Sequence, residues 1–281
     1  LELAESTVTL GVNGSVILFG QTGSGKTYTI GEMSKLGTPH EGVAHRMVRH
    51  LYTHAMGLRP KQFRVSVQFV QIYVENVHDL LAEPNPRDGL ASSGTKLQLR
   101  EDKAQGVYVE GASSIAAASA DECLEVLQRA SKNLKFAATR MNRQSSRSHA
   151  VCRLLVEIHH ASNEGSMDRM DADEGVSPVD AAPRDLRKWR RRSVQQLTVE
   201  LEQEVTQSKR TKAVLTLCDL AGSEDVGRSG ASGQSLTEAQ KINTSLLAPG
   251  SVIQALTSKP GGAAHVPFRN SVLTRILQQS I

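Results

Sequence analysis

Ser15-Val16-Ile17-Leu18-Phe19-Gly20-Gln21-Thr22-Gly23-Ser24-Gly25-Lys26-Thr27 decides how the rest of the chain is read. Ser15 to Phe19 is a short apolar, β-favouring run bounded by Gly14 and Gly20, which predicts a buried strand of an α/β sheet. Gly20 to Thr27 then satisfies G-x-x-x-x-G-K-[ST] in full and leads into Tyr28-Thr29-Ile30, where a helix can open. Strand, glycine loop and helix start in that order are the context a phosphate loop needs. Glycines let backbone N–H groups curl around a polyphosphate, Lys26 reaches its β and γ phosphates, and the Thr27 hydroxyl suits Mg²⁺. Gly20, Gln21, Thr22, Gly23, Ser24, Gly25, Lys26 and Thr27 are therefore the candidate nucleotide-binding residues. The loop alone leaves the identity of the nucleotide open.

Working outward, Phe63, Val65, Val67 and Phe69 alternate with polar residues and continue through Gln71-Ile72-Tyr73-Val74, a second strand. Leu97-Gln98-Leu99 and Val107-Tyr108-Val109 predict a hairpin around Glu101-Asp102-Lys103. Asp121 to Ala138 carries apolar residues at helical spacing, with Asp121 read as the N-cap. Val151 to Ile158 and Ala213 to Cys218 are two further strands. The alternation argues for an α/β or mixed-sheet domain. With 281 residues, 39% hydrophobic and 22% charged, the chain has room for one large domain with a substantial core. Cys123, Cys152 and Cys218 are far apart and have no ligand-spaced partners, which predicts a reduced, intracellular protein without structural zinc. No apolar run approaches the roughly 18 residues of a spanning helix, so no membrane partner is expected. A net charge of +4 is too mild for nucleic acid to be the expected partner.

The stretch Ala161 to Lys212 between the last two strands is far longer than a compact domain spends on a connection, and reads as an insertion, residues 161–212. Asn163 to Pro183 is rich in Gly, Asp, Ser and Pro, the composition of a disordered segment. Beyond it, the basic residues of Arg184 to Arg192 crowd around Trp189, and Val194, Leu197, Leu201 and Val205 recur at steps of three and four. That pattern predicts a basic amphipathic helix, either a solvated excursion or a contact for an extra acidic partner.

Two later segments bear on what would sense a γ-phosphate. Asp219-Leu220-Ala221-Gly222-Ser223-Glu224 comes directly off the strand Val214 to Cys218. A phosphate-loop enzyme puts an acid near Mg²⁺ and a glycine N–H near the γ-phosphate at such a place, roles that Asp219 and Gly222 fit. Asn142-Arg143-Gln144-Ser145-Ser146-Arg147-Ser148-His149 is a hydroxyl-rich polar cluster between a helix and a strand. Taken singly, either segment could be an ordinary capped turn.

Together the three segments resemble the motor domain of the kinesin family, where they correspond to the phosphate loop, a first switch N-x-x-S-S-R-S-H and a second switch D-L-A-G-S-E. Gly11-Val12-Asn13-Gly14, Gln71-Ile72-Tyr73-Val74-Glu75 through Asp79-Leu80-Leu81, Ile242-Asn243-Thr244-Ser245-Leu246 and His265-Val266-Pro267-Phe268-Arg269-Asn270-Ser271 are similar to kinesin segments in the same order. The resemblance covers nearly the whole chain, 1–281, except the insertion. It implies an α/β phosphate-loop NTPase with a central mixed, mostly parallel sheet flanked by helices on both faces. It also implies an ATP hydrolase that uses Mg²⁺ and moves on microtubules in the cytoplasm, as part of the cytoskeleton. By the resemblance, Ser145 and Ser146 position the attacking water and a Mg²⁺-bound water, which makes Thr27, Ser146 and Asp219 the metal set. Arg147 and Glu224 form a bridge that closes the two switches around ATP, and Gly222 reads the γ-phosphate.

The segment 226–279 is implied to hold the microtubule face, with Lys241, Lys259, Arg269 and Arg275 as its basic residues and Lys103 on the hairpin beside them. Complementary charge toward acidic tubulin raises encounter rates and weakens with salt. The chain departs from the family pattern at Pro249, inside the helix predicted over Leu236 to Thr257, where a proline costs a hydrogen bond or a kink of about 3 kcal/mol. The family's first strand is expected before Leu1, and its last helix and neck linker after Ile281. Two other readings compete: a degenerate nucleotide- and microtubule-binding module without motility, and a phosphate-loop GTPase. The latter is disfavoured because no Asn-Lys-x-Asp or Thr-Lys-x-Asp occurs.

Overall fold

The computed structural model describes residues 1–32, 35–58, 62–82, 97–103, 106–140, 147–159, 211–223, 234–258 and 265–281. Its centre is a sheet in the order β1 (Gly14–Leu18), β8 (Thr211–Asp219), β7 (His149–His159), β2 (Gln62–Tyr73), β3 (Asn76–Asp79). A short β6 (Ile115–Ala117) shares the outer side of β2 with β3. The predicted hairpin is present as β4 (Gln98–Asp102) and β5 (Gly106–Glu110), with Leu99 opposite Val109.

The sheet is mixed, as expected, but the balance within it is corrected. Among the described strands β1–β8 is the parallel pair, while β8–β7, β7–β2, β2–β3 and β2–β6 are antiparallel. For the β2–β3 pair the reason is local. β2 returns into β3 through Val74 and Glu75, both at positive φ (49° and 61°), and so tight a turn joins only antiparallel neighbours.

Alternation along each strand sends side chains to two cores. Val65, Val67 and Phe69 of β2, Cys152, Leu154 and Val156 of β7, and Leu215 and Leu217 of β8 pack on one face. They meet α1 (Glu2–Thr9), α3 (Val43–Gly57) and α4 (Ala120–Arg140) there. Val70, Ile72, Val151 and Cys218 face the other way, onto α5 (Gln234–Thr257) and α6 (Val272–Leu277). Helices thus flank both faces, and all three cysteines are free and buried. Among the described residues no helix is long and apolar enough to cross a membrane.

Several local readings change. Ser119, not Asp121, caps α4: its Oγ accepts from the Glu122 N–H at 3.1 Å, and the Glu122 carboxylate accepts from the Ala118 N–H at 2.8 Å. Thr211 and Lys212, assigned above to the insertion, belong to β8 opposite Ile158 and Glu157. The rest of that segment, including Arg184 to Arg192 and the amphipathic stretch, lies outside the described residues. α3 is absent from the sequence reading although Ala44, Met47, Val48, Leu51, Tyr52 and Ala55 bury one face of it. Interleaved His45, Arg46, Arg49 and His50 dilute its apolar stripe. α5 runs on through Pro249. α6 begins at Val272 because Ser271 caps it, accepting from the Thr274 N–H at 3.1 Å.

Candidate active site

The strand register builds the site. Leu18 is paired with Asp219, Asp219 with Ala150, and Ala150 with Gln71, so the chain segments carrying the loop and both switch motifs end in one row across the sheet. From Leu18 the chain turns through the glycine loop into α2 (Lys26–Ile30), capped by Gly25 at φ 92°. Gly23 (φ 81°) and Gly25 occupy the left-handed region that a side chain would strain. A Cβ on Gly20 would stand 2.7 Å from Ser24 Oγ, so the loop also needs that residue bare.

Lys26 curls over the loop, its Nζ donating to the carbonyls of Gly20 at 2.7 Å and Gln21 at 2.9 Å. The Thr27 hydroxyl donates to Asp219 Oδ2 at 2.8 Å. The Ser223 N–H donates to the Gly20 carbonyl at 3.2 Å, so the second switch segment is bonded to the loop at both ends. Asp219 Oδ1 is buried without a hydrogen-bond partner. Burial raises the Asp219 pKa, opposed by the Thr27 hydrogen bond and the Lys26 charge. An orphaned carboxylate oxygen beside a threonine hydroxyl is a hard oxygen donor set that a Mg²⁺ ion would satisfy, so the residues fit the implied metal. A cavity of about 470 Å³ is lined by Gly25, Lys26 and Thr27 together with Ser148, Asp219 and Gly222. One concave space therefore touches the phosphate loop and both switch segments.

Of the remaining predicted residues, Arg147 is described and Ser145, Ser146 and Glu224 lie outside the described residues. Arg147 pairs with Glu238 on α5, Nη1 to Oε1 at 3.3 Å, where the Tyr73 hydroxyl also donates at 2.9 Å. Burial, then that carboxylate, pushes the Tyr73 phenol up to about 12. On the implied microtubule face Lys103, Lys241 and Arg269 are exposed, Arg275 is half-buried, and Lys259 lies outside the described residues. Arg269 reaches Glu101 of the hairpin at 4.0 Å.

The sequence reading did not single out His149, Ser245, Glu238 or Gln71. His149 is buried between Ala221 of the second switch segment and Ser245 of α5. Gln71 donates to Ser148 Oγ at 2.8 Å. The signal for three of them was in quoted motifs: Gln71 opens Gln71 to Glu75, His149 closes the first switch pattern, and Ser245 sits in Ile242 to Leu246. Asp79, also in a quoted motif, is structural, its carboxylate accepting from the N–H groups of Leu81 and Ser113.

The family model described as the kinesin motor domain matches residues 2–182 and 181–281. A kinesin heavy chain from Syncephalastrum racemosum is 38% identical over 98% of this chain and 24% of its own length. Kinesin-like protein 3 from Schizosaccharomyces pombe is 37% identical over 99% of this chain and 41% of its own. The chain thus spans less than half the length of these curated relatives. Among solved structures, a fast kinesin superposes with a TM-score of 0.70 at 34% identity, covering 100% of this chain and 64% of that one. A KIF14 dimer with AMP-PNP, in complex with a microtubule, superposes with a TM-score of 0.70 at 28% identity, covering 99% of this chain and 64% of that one.

Proposed function

The chain belongs to the kinesin motor-domain family, and from that premise we propose that it hydrolyses ATP and couples hydrolysis to movement along microtubules. The observation that carries the reading is the 2.8 Å bond from Thr27 to Asp219. It locks the second switch segment onto the phosphate loop, at the point where a γ-phosphate would be sensed.

In this reading the loop amides from Gly20 to Thr27 and the Lys26 ammonium hold the polyphosphate, and Lys26 leaves its loop carbonyls to do so. Thr27, Asp219 and Ser146 would hold Mg²⁺. When bound, the ion would supply positive charge opposite the phosphates. Ser145 and Ser146 orient the attacking water, and the Gly222 N–H faces the γ-phosphate. In-line attack needs this positioning and charge neutralisation more than covalent chemistry. Arg147 exchanges its Glu238 partner for Glu224 as the switches close, which gives a two-state element that hydrolysis releases.

Microtubule contact falls to segment 226–279 through Lys241, Lys259, Arg269 and Arg275, with Lys103 beside them. The protein then resides on the cytoskeleton of the cytoplasm. The segment between β7 and β8 is an insertion outside the catalytic unit, with Arg184 to Arg192 available to an acidic partner. Turnover of ATP measured with and without microtubules tests the reading. Stimulation by microtubules is the expected result. ATP binding with no stimulation would instead leave a nucleotide- and microtubule-binding module.

A further inference from the structure

We propose that His149 is a positioning residue that ties the second switch segment to α5 through one directed run of hydrogen bonds, so that displacement at either end is passed to the other. The proposal rests on the motor reading above.

The direction of the run follows from which atoms can donate. The Ala221 N–H can only donate, and it does so to His149 Nδ1 at 3.1 Å. That nitrogen therefore carries no proton, and the single proton of the neutral ring sits on Nε2. Nε2 lies 2.8 Å from Ser245 Oγ, which accepts it. The Ser245 hydroxyl hydrogen in turn goes to the Ile242 carbonyl at 2.7 Å, one turn back along α5. No member can reverse its role without leaving a buried polar atom unpaired, which costs about 1–3 kcal/mol. His149 is 2% exposed and Ser245 3% exposed, so water cannot substitute. Burial also holds the His149 pKa down at about 4, which keeps the ring neutral with one donor and one acceptor.

Each end of the run sits on an element used in the proposed cycle. Ala221 lies between Asp219, held by Thr27, and Gly222, which lines the cavity. Ser245 lies on the inward face of α5 with Ile242 and Leu246, while Leu247 beside it is 69% exposed. α5 is also weakened there. Pro249 has no N–H to offer the Ser245 carbonyl one turn earlier, so the backbone ladder lacks a bond at the residue that His149 grips. A second grip sits roughly two turns toward the start of α5, where Glu238 accepts from Tyr73 and Arg147. Arg147 and His149 are two residues apart in sequence, so the chain entering β7 holds α5 at two points. A core histidine that merely fills space would need neither a fixed tautomer nor this pairing.

The test uses the full chain and compares ATP turnover with and without microtubules for the wild type, Ser245→Ala, Ser245→Thr, His149→Gln and the double variant. Ser245→Ala should lower the microtubule stimulation about tenfold, with turnover in the absence of microtubules and the half-saturating microtubule concentration each held within about twofold. Ser245→Thr, which keeps the hydroxyl, should recover most of the stimulation. His149→Gln with Ser245→Ala should lose no more than His149→Gln alone, because one bond joins the two. Wild-type stimulation in Ser245→Ala overturns the proposal. So do losses that multiply in the double variant, and so does an equal loss of basal and stimulated turnover that Ser245→Thr does not recover. If the wild type itself shows no stimulation, the motor reading falls and the relay falls with it, an outcome distinct from the others.

Discussion

The phosphate loop and the α5 seam lie at the same end of the sheet and are built by opposite means. The loop is made almost entirely of backbone: glycines at positive φ, a lysine folded onto carbonyls, and a strand register that delivers Asp219 to Thr27. The seam is made of side chains from distant parts of the chain, with Tyr73, Arg147 and His149 reaching Glu238 and Ser245. The loop's groups are thus set within one short stretch of chain, whereas those of the seam depend on where α5 docks. A switch needs both kinds of construction, a rigid reader and a set of exchangeable bonds.

Changes at the loop should therefore abolish binding, and changes at the seam should spare it. The largest effect is expected for Lys26→Ala, which should weaken ATP binding by at least about 100-fold, since the polyphosphate loses its ammonium counter-ion. A fluorescent nucleotide titration checks this. Glu224→Ala should keep ATP bound while single-turnover hydrolysis stops, because the closing bridge for Arg147 is gone. Normal hydrolysis in that variant would refute the exchange between Glu238 and Glu224.

The seam is next in size. His149 has a folded pKa near 4 against 6.5 for the ordinary imidazole, so the unfolded state takes up a proton first on acidification. The stability that the neutral ring contributes is present above pH 6.5 and is lost between 6.5 and 4, at up to about 3 kcal/mol. Thermal unfolding across that window should show the loss in the wild type and a shallower slope in His149→Gln. The smallest effect concerns the β2–β3 turn. Val74 is β-branched at φ 49°, and Val74→Asn should raise stability by about 1 kcal/mol in denaturant unfolding.

The same contrast explains what was legible in the sequence. The loop could be read because its chemistry is local: Gly20 to Thr27 carry the φ angles, the charge and the hydroxyl within one stretch. β2, β7 and β8 were legible for the same reason, since the alternation of β2 and the apolar runs Val151 to Ile158 and Ala213 to Cys218 are short-range patterns. The seam was not, because nothing near Ser245 in sequence announces a histidine on another strand, and Glu238 as the partner of Arg147 depends on where α5 docks. α3 was hidden by polar residues between its buried positions, and the antiparallel β2–β3 pairing by a turn, Val74-Glu75, whose residues do not favour left-handed backbone. The Ser119 cap was missed because Asp121, inside the first turn, is an equally good cap by residue type alone.

Under the proposed relay, nucleotide state and α5 share one free energy. By reciprocity, a ligand that closes the switches must change the affinity of the face that α5 presents. Co-sedimentation of the full chain with microtubules, in ADP and in a non-hydrolysable ATP analogue, measures this directly. Binding at least about fivefold tighter with the analogue is the expected result. Equal affinity in the two nucleotides, with both shown to be bound, would contradict it.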